Sequence, residues 1–281
     1  MSNDSPNTPS VHHSSLGQTV SYAGQYDPGR LFAIPRAENR AKLQRHAAMP
    51  MFGVDVWNAY ELSWLDTQGK PAVAIAEIRV PAESTHLIES KSLKLYLNGF
   101  MQSRFESAEA VTALIRSDLS AAAGDAVKVR VQGLDEASAV FEPLRGECID
   151  GLPLEVERYE HPSSEMLRCD RHHQVREVLL SHLLKSNCPV TGQPDWASVQ
   201  IDYAGPALDR SALLRYLIAY REHAEFHEHC VEQIYCDLWQ LLEPTHLAVY
   251  ARYTRRGGID INPFRASHAA LQPLNARQLR Q

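Results

Sequence analysis

The chain has 281 residues, 44% of them apolar, with a formal net charge of −6 and a pI near 6.1. That length suits one large domain or two small ones, and the apolar share is ordinary for a protein with a proper core. The acidic balance argues against nucleic acid as a direct partner, because such domains carry a basic face and a basic pI.

The first 25 residues are rich in Ser, Asn, Thr, Pro and His, and residues 1–28 read as a flexible tail. They hold no apolar run, so no secretory signal is expected. No stretch approaches the ~20 apolar residues of a membrane span. A soluble, cytoplasmic protein is the expectation.

Val56–Leu65 and Val73–Val80 read as strands separated by a turn at Gln68-Gly69-Lys70. A helix is expected from about Leu93 and a second over Ala108–Ala122, stopped by Gly124-Asp125. Val127, Val129 and Val131 then alternate with polar residues, the period of a half-exposed strand. The same order follows in the second half. Val175–Asn187 reads as a long strand, although its first residues, Val175–Leu180, suit a helix as well, and Val199, Ile201 and Tyr203 alternate in another until Gly205-Pro206 breaks the run. Asp209 is placed to cap a helix through Leu213, Leu214, Leu217 and Ile218. Phe226, Cys230, Ile234 and Leu238 recur every four residues and mark the apolar stripe of another helix. Leu247–Thr254 is a further strand, and Gly257-Gly258 turns the chain towards Ile259–Ile261. Two successive β-β-α-α-β units emerge, an α+β class with antiparallel sheets covered by helices on one face.

The cysteines, Cys148, Cys169, Cys188, Cys230 and Cys236, are odd in number and form no C-x-x-C, so neither a disulfide framework nor a common zinc ribbon is indicated. Reduced cytosolic thiols are the plain reading. A free cysteine is usually a small buried hydrophobe, which suits Cys230 on its helix stripe. Cys188 differs, because it ends an apolar segment and enters the loop Pro189–Pro194. Loops on a rigid sheet often carry reactive groups. On residues alone, Asp195 is either a turn residue or a proton carrier, and His227 either a helix-surface histidine or a neutral base near a helix start. Glu89 and Glu228 are either charges of a first helical turn or carboxylates for a paired N–H edge. Lys91 and Lys94 are either a wet helix face or phosphate contacts. No G-x-G-x-x-G follows a strand, so a Rossmann site is not indicated.

Four segments change that balance when taken together: Glu89-Ser90-Lys91-Ser92-Leu93-Lys94-Leu95-Tyr96; Lys185-Ser186-Asn187-Cys188-Pro189-Val190 with Gln193-Pro194-Asp195-Trp196; Glu225-Phe226-His227-Glu228; and Tyr253-Thr254-Arg255-Arg256-Gly257-Gly258. They resemble the long form of the NADPH-dependent nitrile reductases that convert 7-cyano-7-deazaguanine (preQ0) to its aminomethyl form (preQ1) in queuosine biosynthesis. The resemblance runs from about Tyr26 to Arg265.

It implies tandem tunnelling-fold (T-fold) units, 29–145 and 146–281, in a homodimer. It implies Cys188 as a nucleophile forming a thioimide, with Asp195 as proton donor and His227 beside them. The substrate would meet Ile88, Glu89, Ser90, His227 and Glu228, and the NADPH co-substrate Ser90, Lys91, Arg256 and Gly257. Burial of Asp195 against Trp196 would raise its pKa for that role. No metal and no direct tRNA binding are expected.

Two rivals use the same residues. A zinc-dependent T-fold cyclohydrolase would need His223 and His227 on one helical face with Cys188 approaching. A cysteine hydrolase or amidotransferase would use Cys188, His227 and Asp195.

Overall fold

The computed structural model describes residues 24–43, 49–136, 141–156 and 161–281. Most of the expected tail, residues 1–23, lies outside the described residues. The class is α+β. In chain order the elements are β1 (Ala33–Pro35), α1 (Arg36–Arg40), β2 (Phe52–Leu65), β3 (Pro71–Pro81), β4 (His86–Ile88), α2 (Ser90–Asn98), α3 (Ala108–Ala123), β5 (Lys128–Gly133), β6 (Glu147–Cys148), β7 (Cys169–Asn187), β8 (Pro194–Leu208), α4 (Arg210–Ala219), α5 (His227–Leu242), β9 (His246–Tyr253) and β10 (Ile259–Ala266). No helix among the described residues is long and apolar enough to cross a membrane.

The chain forms two compact units. The first takes residues up to 38, 59–80 and 84–137. The second takes 39–58, 81–83 and everything after 138 that is described. The expected boundary at 145/146 therefore meets a more interleaved division: the opening residues of β2 go with the C-terminal half, because β2 is hydrogen-bonded to β10. Gly53 allows that approach, since a Cβ there would lie 2.0 Å from the Phe264 carbonyl oxygen.

In the first unit the strands run β5-β3-β2, and β1 pairs antiparallel with β4. The β2–β3 turn closes through Asp66 N–H to the Lys70 carbonyl at 2.9 Å, with Gly69 at φ 88°. Helix α3 is capped by Ser107, and Gly124 ends it in the left-handed region where the sequence places the stop. Val111, Ile115, Leu119 and Ala123, four apart, form its fully buried stripe.

In the second unit the order is β2-β10-β9-β8-β7-β6. Strand alternation sorts its residues. Ala197, Val199, Ile201 and Tyr203 of β8 and Leu247, Val249, Ala251 and Tyr253 of β9 share one core with Leu213 and Leu217 of α4 and Cys230, Ile234 and Leu238 of α5. The residues between them face the other side, where Ala248, Tyr250 and Phe264 cluster with Val54 and Val56. Whatever on β8 keeps the odd parity therefore lies under the helices.

Two expectations need correction. Gly205-Pro206 does not end its strand: β8 continues to Leu208, with Gly205 opposite Val175 and Pro206 opposite Gln174. Strand β9 reaches only as far as Ala204, opposite His246, so the missing Pro206 N–H leaves no ladder bond unmade on that side. Helix α2 begins at Ser90 rather than near Leu93, because Glu89 caps it.

Candidate active site

Cys188 sits at the mouth of the β7–β8 hairpin. Asn187 is paired with Pro194 and Ser186 with Asp195, so the chain reverses over Cys188–Gln193. Cys188 N–H donates to the Gln193 carbonyl at 2.9 Å, and Gly192 N–H returns to the Cys188 carbonyl at 3.0 Å. Gly192 has φ 66°, a conformation that favours glycine. The turn is tied to the segment before α5 by Asn187 N–H to His223 O and Glu225 N–H to Asn187 O. Cys188 is 7% exposed.

Asp195 has the parity of Ala197 and Val199 and is 4% exposed. Two cationic or potentially cationic groups meet its Oδ1. His227 Nε2, from the first residue of α5, is 3.3 Å away, and Arg256 Nε is 2.9 Å away. Arg256 Nη1 also donates to Gln193 Oε1. The tight turn from Arg256 to Ile259, with Gly257 at φ 55° and Gly258 at φ 80°, holds the guanidinium there. The Tyr253 ring lies 4.0 Å from the His227 ring. Beneath them the Cys230 thiol is pushed well up, first by burial and then by Glu225, against the nearby Ser186 and Tyr253 hydroxyls. It is a buried, protonated core thiol.

Glu228 is buried in the first turn of α5. The next residue, His229, places Nδ1 3.3 Å from Glu225 Oε1 and 2.6 Å from Asn39 Nδ2. Burial pushes Glu225 up, but the His229 hydrogen bond and charge, with the Phe226 N–H and Lys42, outweigh it and its carboxyl ends below the usual range.

Ile88, Glu89, Ser90 and Lys91 lie in the first unit, where β4 leads into α2. Glu89 is 1% exposed, and its two oxygens accept from Lys91 N–H at 2.7 Å and Ser92 N–H at 2.8 Å. Burial nevertheless pushes its carboxyl up, against those two bonds. The α2 N-terminus is thus already capped by an anion. Any phosphate at this place would be met by the Ser90 and Lys91 side chains and not by the capped amides.

Two expectations about the site change. Trp196 does not bury Asp195: successive residues of a strand face opposite ways, and the Trp196 ring instead lies under the guanidinium groups of Arg221 and Arg280, at 5.4 and 6.0 Å. The neighbours of Asp195 are a guanidinium and an imidazole. His223 and His227 share no helical face, because α5 starts at His227 and His223 precedes it. His223 Nε2 is buried without a partner and burial pushes its pKa down. The zinc-cyclohydrolase arrangement loses its two-histidine face.

Gln193 and Tyr253 were inside the sequence segments but had no assigned part. Gln193 bonds the Cys188 amide through its backbone and Arg256 through its side chain. Only the hairpin register reveals that.

The arrangement brings a cysteine on a fixed turn into the same unit as a carboxylate shared by an imidazole and a guanidinium. Residues 22–131 match the family model described as "Nitrile reductase, 7-cyano-7-deazaguanine-reductase N-term", and residues 194–272 match that of "QueF-like protein". A protein of Bordetella pertussis named NADPH-dependent 7-cyano-7-deazaguanine reductase is 52% identical over 275 residues, covering 97% of this chain and 100% of its own length. One of the same name from Bordetella avium is 54% identical over 269 residues, covering 95% and 97%. A crystal structure of the archaeosine synthase QueF-Like in the apo form aligns with 35% of this chain and 95% of its own at 18% identity and a TM-score of 0.30, too slight a likeness to bear on the fold. Two family models spread over more than half of the chain, and relatives more than 50% identical along nearly all of it, lead to one statement: the chain belongs to the 7-cyano-7-deazaguanine reductase family.

Proposed function

We propose that this protein reduces the nitrile of preQ0 to the aminomethyl group of preQ1 with NADPH, in queuosine biosynthesis in the cytoplasm. The observation that carries the reading is the joint contact of His227 and Arg256 on Asp195 in the unit that holds the Cys188 turn. A nitrile carbon is a poor hydride acceptor. The Cys188 thiolate adds to it, the nitrogen takes a proton, and the thioimide that results is a far better acceptor. NADPH supplies hydride when bound. One hydride gives a tetrahedral thio-aminal, which expels the thiolate and leaves an imine. A second hydride and proton give the amine, so two NADPH are consumed. Asp195 Oδ1 and His227 Nε2, 3.3 Å apart without a hydrogen bond between them, would both serve as proton carriers for the nitrogen.

Glu228 and Glu89 would take the adjacent N–H and amino donors of the deazaguanine edge, with the backbone of Ile88 and Ser90 beside Glu89. Glu89 fits only in part, because Oε1 already accepts from Lys91 N–H and Ser90 Oγ, while Oε2 accepts from Ser92 N–H and keeps one further lone pair for a ligand. Ser90, Lys91, Arg256 and Gly257 would hold NADPH. A guanidinium at a glycine turn suits a phosphate, although here Arg256 is engaged by Asp195 and Gln193. The architecture we infer is tandem T-fold units, 29–145 and 146–281, paired in a homodimer.

A cysteine hydrolase remains the second reading, because Cys188, Asp195 and His227 serve it as well. Absorbance at 340 nm with preQ0 separates the two. Stoichiometric NADPH oxidation with preQ1 formed supports the reductase. Substrate turnover without loss of NADPH absorbance removes it.

A further inference from the structure

Away from that site, the outer edge of the second unit gathers three chemically different metal ligands. One ligand atom each from Cys148, Asp150 and His182 lie within 4.8 Å of one another. Their placement follows from the strands. Strand β6 runs parallel to β7 with Cys148 opposite Leu180, and Ile149 N–H donates to the Leu180 carbonyl at 2.9 Å. Asp150 then reaches β7, its Oδ1 accepting from Ser181 Oγ at 2.6 Å and its Oδ2 from His182 N–H at 2.9 Å. His182 falls in the register shift of β7 between Ser181 and Leu184, a bulge of the kind that re-aims a side chain. Its Nδ1 lies 2.7 Å from Ser198 Oγ, which anchors the ring; the tautomer that donates from Nδ1 to Ser198 presents the Nε2 lone pair to a metal.

We propose that Cys148, Asp150 and His182 bind one divalent ion of the zinc class, with water in the fourth position. Zinc takes thiolate, imidazole and carboxylate together at ~2.0–2.3 Å, which sets its ligand atoms roughly 3.3–3.8 Å apart. Side-chain rotation of about an ångström closes the group seen here. Hydrogen bonds from a ligating carboxylate and imidazole to outer groups are what holds such sites in shape, and Ser181, Ser198 and the His182 amide provide them. Cys148 is exposed and free, so its thiol can lose a proton to solvent as the metal binds. The ion would fasten the short β6 to β7. It takes no part in the reduction, and its test does not depend on that reading.

Titration of chelator-treated, untagged full-length protein with Co²⁺ reads the site directly. The expected result is one equivalent bound, with tetrahedral visible bands and a thiolate-to-cobalt charge-transfer band in the near ultraviolet. Cys148→Ser loses the charge-transfer band, and His182→Ala weakens binding at least tenfold, while Cys188→Ser changes neither. Far-ultraviolet circular dichroism of the metal-free variants verifies that they are folded. Binding that is weak, non-stoichiometric or indifferent to Cys148→Ser, as for an adventitious ion only, overturns the proposal. So does a charge-transfer band that disappears in Cys188→Ser.

Discussion

Arg256 Nε lies 2.9 Å from Asp195 Oδ1, which pairs a residue that the family resemblance assigns to the cofactor with one that it assigns to proton transfer. Arg256→Ala therefore removes two things at once. The NADPH KM is expected to rise tenfold or more, well beyond any rise in the preQ0 KM. Arg256→Lys restores little, because a point charge cannot reach Asp195 and Gln193 in the fork that Arg256 uses. Steady-state kinetics with each substrate varied provide the check, and an unchanged NADPH KM takes Arg256 out of the cofactor site.

Asp195→Asn keeps the shape and loses the charge. Removal of a proton carrier commonly lowers a rate by about 10²–10⁴. A kcat decrease in that range is expected, with Cys188 still able to attack the nitrile. Rapid-mixing kinetics beside adduct detection distinguish this from a general collapse of the site, in which both would vanish.

The parts of this site that were legible in the sequence are those with a local cause. The Gly124 stop of α3, the Cys230-Ile234-Leu238 stripe and the turn around Gly257-Gly258 depend on near neighbours. The role of Glu89 as a cap was hidden because the same carboxylate in the same motif serves a ligand equally well. The error over Trp196 came from treating sequence neighbours as spatial neighbours, which a strand forbids. The continuation of β8 through Pro206 depends on where β9 stops, a long-range fact that no local pattern carries. The short strands β1, β4 and β6 have too few residues to alternate.

A buried carboxyl on α5 that has no assigned part in the reaction sets a pH dependence. Burial raises Asp237 from 3.8 to about 6, against the hydrogen bond that it accepts from Tyr216 Oη at 2.6 Å. The folded state thus prefers the protonated acid. Its contribution is complete below about pH 4 and is lost as pH rises through about 6, by roughly 3 kcal/mol for a two-unit difference. Urea denaturation at pH 4.5 and 7.5 should show Asp237→Asn missing that loss and outlasting the unmodified protein at pH 7.5. Equal pH slopes for the two would contradict it.

Arg265 is fully buried, with Nη1 2.7 Å from Asp55 Oδ1 and Nη2 2.8 Å from Glu232 Oε1, and Arg40 Nη2 is 2.6 Å from the same Glu232 oxygen. Glu232→Gln leaves Asp55 as the carboxylate beside Arg265 and removes the charge that Arg40 meets. Breaking a buried pair in this way costs about 3–5 kcal/mol. Thermal denaturation should reveal a Tm lower by several degrees, and a shift within experimental error would mean that the network is dispensable.

The covalent step is open to direct observation. Protein mixed with preQ0 in the absence of NADPH, then digested and weighed by mass spectrometry, should carry the mass of one nitrile on the peptide containing Cys188, and Cys188→Ala should carry none. A Cys188→Ala enzyme that still produces preQ1, or an adduct on any other cysteine, would contradict the account.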